Sequence, residues 1–225
     1  MISVEDRIKF YTLNSKKQNV PDTTVTTGFD HPIKLNLHMY KQKFREIHPN
    51  TQYPLDVIRY LQYEKDSDMY IQCGDSQYCG KNWPVIVKTR NIQDPLSTGV
   101  IGNLDRLRHF GEVFKHADTP WDQKSNEFVW RGADTGRDGD RLRFVRQYVQ
   151  SHDVGFSKFV QDAHESPYLY SPSMIKTHLS IDDMIRRKYL PVIDGNDKSS
   201  SLGWVMASNS VPIMPIPKYH SWMCE

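Results

Sequence analysis

The sequence has little of several features that would place a chain in a class at once. Its three cysteines, Cys73, Cys79 and Cys224, form no CxxC pair, and their spacing is typical of reduced thiols rather than of a disulfide framework. No stretch approaches about 18 consecutive apolar residues, so we expect no membrane span. The first residues contain no apolar signal-peptide core. Together these absences favour a cytoplasmic protein.

Charge excess and metal-site spacing are also missing. The net charge of +2, from 29 basic and 27 acidic residues, gives no general reason to expect a nucleic-acid partner. The nine histidines occur in no HxH or HExxH arrangement, so we expect no metal site. A GxSxG motif is absent too, which leaves a hydrolase elbow unsupported.

What is present is a core-forming chain in which predicted strands and helices alternate. Hydrophobic residues make up 38% and aromatic residues 12% of the chain, more aromatic content than a disordered chain carries. The alternation predicts a parallel, doubly wound α/β sheet. Apolar runs predict strands at 68–75, 83–90, 188–193 and 210–214, and a strand that breaks into a Gly-containing turn over 127–136. Helical spacing predicts helices at 35–47, 54–65, 104–117, 140–150, 171–188 and 199–208, and the first turn of another at the end.

The stretch WRGADTGRDGDRLRF, residues 130–144, carries the first candidate site. A strand ends here, a turn holds Gly132 and Gly136, and a helix begins near Asp140. Backbone N–H groups at such a helix start bind phosphate, and arginines bind it bidentately. The candidate arginines are Arg131, Arg137, Arg141 and Arg143. The alternative is a solvated basic helix start whose arginines pair with Asp134, Asp138 and Asp140.

The stretch YLPVIDGNDKSSSLGWVMASNSVPIM, residues 189–214, carries the second. Its turn is rich in hydrogen-bonding groups and follows a predicted strand, where doubly wound sheets bind ligands. An ordinary Asx or Ser turn that caps a helix is the alternative. The turn contains Asp194, Gly195, Asn196, Asp197, Lys198, Ser199 and Ser201.

Asp75 is the third candidate, because it comes directly after a buried strand. From that position a carboxylate can face a cleft and accept a proton from a hydroxyl. The alternative is a turn aspartate with no chemical role. Lys88 and Arg90 alternate along the next predicted strand. The alternatives are that one of them points to a cleft or, as we expect, that they are charges at the rim of the sheet.

Taken in order, these stretches resemble glycosyltransferase family 90, from about Met69 to Glu225. The resemblance is carried by YIQCGDS, WPVIVKTRN, LRHFGEVF, FVWRGADTGRDGDRLRFV and, most specifically, KYLPVIDGNDKSSSLGWVMASNSVPIMPIPKYHSWMCE. It implies a GT-B-like architecture with two Rossmann-like lobes and a cleft between them. We therefore expect an N-terminal arm over residues 1–34, an acceptor-side lobe over 35–120 and a nucleotide-sugar donor lobe over 121–225.

The resemblance also implies an activity. A sugar of the glucose or xylose class would pass from a UDP-sugar to a hydroxyl of a glycan or lipopolysaccharide-like acceptor, without a metal or another cofactor. Asp75 matches the family's candidate base. The donor-site residues carried over, with the neighbours expected to assist them, are Arg131, Gly132, Thr135, Gly136, Arg137, Asp140, Arg141, Asp194, Gly195, Asn196, Asp197, Ser199 and Ser201.

The sequence departs from the family pattern at two places. Ser201 stands where many members have an arginine that contacts the diphosphate, so Arg131, Arg137, Arg141 or Lys198 would have to supply that charge. The sequence also stops before the family's aromatic HY region and further helix, so we expect an incomplete donor lobe. Both departures keep open a second interpretation, a non-catalytic remnant that binds a UDP-sugar or a glycan.

Overall fold

A computed structural model describes most of the second half of the chain and parts of the first. The described residues are 3–12, 33–35, 56, 69–72, 75, 85–93, 99–104, 115–136 and 138–224. The chain divides into two compact units, one formed by Met1–Arg106 with Lys218–Glu225 and the other by Leu107–Pro217. The last residues thus group with the first unit, although the domain boundaries predicted at residues 34 and 120 stay predictions.

The first unit contains a four-stranded sheet with a parallel centre. Its strands, in the order β1-β2-β3-β5, are β1 (Ile33–Leu35), β2 (Met69–Ile71), β3 (Val85–Val87) and β5 (Val100–Ile101). Strands β2, β3 and β5 run parallel, and β1 pairs with β2 antiparallel. The described side chains of the three parallel strands include Ile71, Val85 and Val87, all buried, as expected where both faces of a sheet are covered. The strands predicted at 68–75 and 83–90 are confirmed.

Two more elements complete the description of this unit. Helix α1 (Val4–Thr12) begins at a capping pair, since Asp6 N–H donates to the Ser3 hydroxyl and that hydroxyl donates back to the Asp6 carboxylate. Strand β4 (Arg90–Asn91) pairs antiparallel with β10 (Tyr219–His220). The helices predicted at 35–47, 54–65 and 104–117 lie almost wholly outside the described residues.

The second unit is a parallel α/β sheet. Its strands, in the order β7-β6-β8-β9, are β6 (Ser125–Ala133), β7 (Asp153–Lys158), β8 (Arg187–Pro191) and β9 (Val211–Ile213). All pairings are parallel. The α-helices described in this unit are α2 (Asp140–Tyr148), α3 (Asp162–Glu165), α4 (Ile181–Met184) and α5 (Leu202–Met206). The predicted parallel α/β sheet is confirmed, while the two-lobed GT-B arrangement stays a prediction.

The core of this unit lies between α2 and the pair β6 and β7. Val145 of α2, Val154 and Phe156 of β7 are fully buried, and the rings of Trp130 and Phe156 meet edge to face with centroids 5.9 Å apart. This packing fixes α2 against the sheet and therefore places the loop between β6 and α2 at the carboxyl edge.

One strand of this unit was not predicted, and one predicted helix was wrong. Strand β7 was not predicted, since Gly155 and polar neighbours break the apolar run that would have marked it. The helix predicted over 171–188 forms only the 3-10 turn Pro172–Met174 and the short α4, because the backbone at Ile175 and Lys176 instead pairs with Phe156. The capping box of Ser180 and Asp183 is confirmed at the start of α4.

The end of the chain also differs from expectation. A first helical turn was predicted there, and the structure has strand β10 followed by the 3-10 turn Trp222–Cys224. None of the helices in the described part of the chain has the length and apolar character needed to cross a bilayer.

Strand β9 is the outermost of the described strands on its side of the second sheet. Val192 N–H donates to the Ile213 carbonyl, so the backbone of Ile213 faces β8 and that of Pro212 faces away from it. The side chains of Val211 and Ile213, on either side of Pro212 in the sequence, are 44% and 48% exposed.

Candidate functional site

The strand order of the second unit defines a crevice at its carboxyl edge. From β6 the chain passes to β7 on one side, and it later crosses to β8 on the other side of β6. The loops that follow β6 and β8 therefore leave the sheet in opposite directions, which is the switch point where open α/β sheets bind ligands. These two loops are the stretches singled out from the sequence, at 134–139 and 192–201.

Arg141, in the first turn of α2, joins the two loops. Its guanidinium donates to the Ala133 carbonyl at 2.9 Å and to the Thr135 hydroxyl at 2.8 Å. On the other side it donates to the carbonyls of Ile193, at 3.0 Å, and Asp194, at 3.1 Å. The rigid fork of five N–H donors suits a site with several oxygen acceptors in different directions. The structure thus brings Thr135, Arg141 and Asp194 together, and their role in donor binding stays a prediction.

Gly136 and Gly195 allow the two loops to touch. Gly136 has a φ of +114°, which side chains other than glycine rarely adopt, and a Cβ built there would lie 3.2 Å from the backbone of Gly195. A Cβ built on Gly195 would lie 2.7 Å from the Thr135 hydroxyl. Both glycines are therefore required for the close approach of the loops.

The loop after β8 is closed by its own polar groups. Ser199 N–H donates to the Asp194 carboxylate at 3.0 Å, and Gly195 N–H donates to the Asp197 carbonyl at 2.9 Å. The Ser199 and Ser201 hydroxyls are 2.8 Å apart. Asp197, Lys198 and Ser199 are buried, and Asn196 is half-buried. The predicted second-loop residues thus form one compact turn that contains a buried cation.

Arg131, predicted as a possible phosphate-binding arginine, donates to protein acceptors in this structure. Its guanidinium donates to the Asp153 carboxylate at 2.5 Å, to the Asp153 carbonyl at 2.9 Å and to the Thr177 carbonyl at 2.8 Å. Its side chain is 6% exposed. These bonds tie β6 to the start of β7, and none of these acceptors takes part in the Arg141 contacts. A role of Arg131 in donor binding stays a prediction.

The remaining residues of the first stretch lie beside the crevice. Gly132 lies inside β6, where a Cβ would lie 2.5 Å from the Trp130 ring. The packing of that ring therefore accounts for a glycine at this position. Asp140 opens α2 and forms an ion pair with Arg143, as the solvated alternative expected. Arg137 lies outside the described residues.

Asp75 in the first unit has a buried cationic partner. Strands β2 and β3 are parallel neighbours, so the residues that follow them meet at one edge of the sheet. There Lys88 Nζ donates to Asp75 Oδ1 at 2.6 Å, with side chains 2% and 28% exposed. The expectation that Lys88 and Arg90 are rim charges was wrong, since both are buried. The arrangement can hold a partly exposed carboxylate in a fixed orientation.

A second buried ion pair lies at the opposite, amino edge of the second sheet. Lys124, directly before β6, donates to Asp118 Oδ1 at 2.5 Å, to the Ser210 hydroxyl at 3.1 Å and to the Ile185 carbonyl. Burial alone would raise the pKa of Asp118. The N–H of Asn209, the Lys124 ammonium and the N–H of Thr119 outweigh burial and hold the pKa of Asp118 below its usual value.

The described residues contain no group of three or more His, Cys, Asp and Glu that could hold a metal ion. Whether the site works without a metal stays a prediction. Sequence reasoning missed Lys88, Lys124 and Asp134 as buried groups. For Lys88 the signal was present, because it directly follows a fully apolar strand at a carboxyl edge.

Comparison with known proteins gives the chain its relatives. It is 29% identical to the O-glucosyltransferase LpsA of Dichelobacter nodosus over 227 residues, which cover 99% of this chain and 62% of that protein. It is 27% identical to Protein O-glucosyltransferase 2 of Danio rerio over 139 residues, which cover 60% of this chain and 26% of that protein. No protein-family model matches the chain. The chain thus spans only part of the length of either relative, and these similarities indicate that it is related to glycosyltransferases.

Proposed function

We propose that the protein is a glycosyltransferase of the family 90 type that moves a sugar of the glucose or xylose class from a UDP-sugar to a glycan hydroxyl. The observation that carries the proposal is the contact between the loops after β6 and β8, made through Arg141, at the switch point of a parallel sheet. The similarity to two proteins named as O-glucosyltransferases supports the reaction class. The chain covers 62% of the length of the first relative, so the activity of the whole protein is part of what we propose.

The donor would bind with its diphosphate at the start of α2. The N-cap residue of this nine-residue helix is Gly139, which has no side chain to cap the first turn, so an anion can take the place of a capping side chain. The helix dipole favours negative charge there. Lys198 in the neighbouring loop adds a buried positive charge, which would help neutralise the leaving diphosphate without a divalent ion.

Asp75 would act as the base of the transfer. Its carboxylate accepts the proton of the acceptor hydroxyl while that oxygen forms a bond to the anomeric carbon of the sugar. The bond between the anomeric carbon and the diphosphate oxygen breaks, and UDP leaves with the electron pair. Lys88 holds the carboxylate in place through Oδ1. Much of the rate would come from holding donor and acceptor in the reactive orientation.

Calorimetric titration with UDP in the presence of EDTA tests the donor site. We expect UDP to bind, and to bind more tightly than UMP or ADP, because diphosphate and uracil both contribute. A screen of donor sugars with UDP-glucose and UDP-xylose would follow. Failure of UDP to bind, or equal binding of ADP, would overturn the proposed donor.

One observation favours a binding-only protein as the second candidate. The guanidinium groups of Arg131 and Arg141 donate mainly to main-chain carbonyls, and Ser201 pairs with Ser199 where the family pattern has an arginine. Leaving-group stabilisation would then be weaker than in an active transferase. UDP binding with neither sugar transfer nor donor hydrolysis would establish this candidate and exclude the enzyme.

A further inference from the structure

A row of partly exposed aromatic side chains crosses the amino half of the second sheet. Its members are Trp121 before β6, Phe128 in β6, Tyr189 in β8 and His152 directly before β7. Trp121 is 42% exposed and His152 is also exposed, whereas Phe128 and Tyr189 are half-buried. The proposed chemistry uses the opposite, carboxyl edge of this sheet, so it does not account for this aromatic row.

The rings of the aromatic row are in contact with one another. Trp121 and Tyr189 meet edge to face with centroids 6.1 Å apart, and the rings of Phe128 and His152 stack at 4.1 Å. Tyr189 and Phe128 are register partners in the parallel sheet, so their side chains lie beside each other on one face. The ring of Tyr148, at the end of α2, lies 5.5 Å from those of Phe128 and His152. The aromatic row is therefore one continuous surface from β8 across β6 to the start of β7.

Trp121 is held in a fixed orientation although it is exposed. The Lys188 ammonium lies 5.1 Å from the centroid of its ring, and the same ammonium donates to the side-chain oxygen of Asn126 at 2.8 Å. The backbone of Trp121 is fixed as well, since its carbonyl accepts the N–H of Lys124 at the end of the 3-10 turn. A side chain that is ordered before binding loses little conformational entropy when a ligand binds.

The chemistry of the aromatic row fits a chain of sugars. The C–H groups of a sugar ring carry a slight positive charge and stack on the negative face of an aromatic ring. The hydroxyls of the sugar bond to polar groups, which Tyr189 and His152 provide within the row and Asn126 provides beside it. The row crosses three strands that are about 4.8 Å apart, so it is longer than one sugar ring. An oligosaccharide can therefore contact several of its rings at once.

The charges beside the aromatic row favour a neutral ligand. Glu127 of β6 and Lys188 of β8 are charged neighbours of opposite sign, so their charges cancel. A nucleic acid or an anionic membrane surface would be complemented by an excess of positive charge instead. Charge complementarity therefore points to a neutral oligosaccharide.

We propose that the aromatic row is a binding surface for neutral oligosaccharides, separate from the candidate donor crevice, and that Trp121 is its main contact. The proposal goes beyond the proposed function, because neither the crevice nor Asp75 takes part in it. A contact with a second part of a long glycan would raise the effective concentration of that glycan at the protein.

Calorimetric titration with neutral hexasaccharides tests this surface. The probes are maltohexaose, cellohexaose and xylohexaose, and we expect the wild-type protein to bind at least one of them. Trp121→Ala should raise the Kd for that probe at least about tenfold, because it removes the ring on which the sugar stacks. Trp121→Phe keeps an aromatic ring and should recover much of the affinity.

Two further variants make this test specific. His152→Ala, at the exposed far end of the aromatic row, should also weaken binding, and it decides the matter if Trp121→Ala does not fold. Tyr168→Ala is the matched control, since Tyr168 is an aromatic residue in a 3-10 turn of the same unit and is 84% exposed. It should leave the Kd for the hexasaccharide unchanged.

The outcomes separate this proposal from the proposed function. A wild-type protein that binds UDP but none of the three hexasaccharides overturns the sugar surface alone. Hexasaccharide binding without UDP binding keeps the surface and overturns the proposed donor site. Hexasaccharide binding that is unchanged in both Trp121→Ala and His152→Ala places the sugar elsewhere and overturns the surface.

Sedimentation equilibrium tests for a second copy of the chain as the occupant. We expect the same oligomeric state for the wild-type protein and for Trp121→Ala. A wild-type dimer that Trp121→Ala converts to a monomer would make the aromatic row an interface between two copies and would overturn the proposal.

Discussion

Single charged side chains, rather than clusters, organise the edges of both sheets. Lys88, Lys124 and Asp134 are buried, and each bonds to a carboxylate, a carbonyl or main-chain N–H groups. A buried charge is tolerated only where such partners replace water. These residues are therefore held in position by the partners that compensate for their loss of hydration. The same property suits them to hold loops and reacting groups in place.

Asp75→Asn tests the proposed base. The amide cannot accept the proton of the acceptor hydroxyl, so turnover should fall by about 10² or more while UDP affinity stays nearly unchanged. The measurement is UDP release from UDP-glucose in the presence of a glycan acceptor, alongside calorimetry with UDP.

Asp122→Asn is the control, because Asp122 is an exposed acid in the turn Trp121–Gln123. It should leave both turnover and affinity unchanged. Normal turnover in Asp75→Asn would remove Asp75 from the mechanism.

Gly195→Ala tests the contact between the loops after β6 and β8. The added methyl group would lie 2.7 Å from the Thr135 hydroxyl and 3.0 Å from Arg141, so the loops must move apart. We expect UDP affinity to fall about tenfold or more. Calorimetry with UDP measures the effect.

Gly139→Ala provides the comparison, since its φ of +67° is strained for alanine but a Cβ there meets only the end of the Arg143 side chain at 3.6 Å. Gly139→Ala should lower the free energy of unfolding by about 1 kcal/mol and should lower UDP affinity less than Gly195→Ala does. Equal UDP affinity in wild type and Gly195→Ala would show that the loop contact does not shape the donor site.

At the scale of elements, the short pair β4 and β10 contains a histidine, His220, that the fold favours in its uncharged form. Burial, and next the positive charge of Arg90, hold the pKa of His220 below its usual value. Protonation is therefore disfavoured in the paired state. The stability that neutral His220 contributes is present above its unfolded pKa of about 6.5 and is lost as the pH falls through the folded pKa.

We therefore expect β10 to separate from β4 more often at pH 5.5 than at pH 7.5. The amide of Ile92, which donates to the Lys218 carbonyl, reports this opening by hydrogen exchange after correction for the intrinsic rate. In His220→Gln the protection of Ile92 should no longer depend on pH in this range. A pH-dependent loss of protection that persists in His220→Gln would assign the effect to another group.

The elements that the sequence predicted well are those with a local signal. The strand and turn predicted over 127–136 and the helix predicted from Asp140 correspond to β6 and α2, because apolar periodicity and glycine mark them. The segment 171–188 was wrong because a tertiary pairing, Lys176 N–H to the Phe156 carbonyl at 2.9 Å, competes with its helical pattern. Such a pairing has no trace in the local sequence.

The site was predictable to a similar extent. The residue types of the two loops singled out both stretches, and the structure brings Gly136 and Gly195 of these loops close together, whereas their role as a donor site stays a prediction. The partners of the buried charges were not predictable, because Lys124 bonds to groups 61 and 86 residues away and Asp134 to an amide 29 residues away. Only the folded sheet brings these groups to one edge.

At the scale of the whole molecule, the ion pair at the amino edge should govern stability. Lys124→Met leaves the Asp118 carboxylate without its cation and should lower the free energy of unfolding of the second unit by about 3 kcal/mol. Urea denaturation measures it. Lys158→Met, at an exposed lysine, is the control and should change stability by less than about 0.5 kcal/mol.

Acid should act through the same pair. Because the pKa of Asp118 is lowered in the fold, the contribution of its carboxylate to stability is present above the unfolded pKa of about 3.9 and is lost as the pH falls through the folded pKa.

The double variant Lys124→Met/Asp118→Asn should recover part of the stability that Lys124→Met loses. A double variant less stable than Lys124→Met would show that the two residues do not act as a pair.

Pro212 has a consequence for how the molecule behaves in crowded solution. The outward-facing backbone of β9 lacks the N–H that a further strand would need, even though its neighbours Val211 and Ile213 expose apolar surface. An open, apolar strand edge is a template for fibril growth and for cross-pairing between molecules. One proline at the centre of this edge therefore disfavours pairing with a strand of another molecule, and so disfavours aggregation through β9.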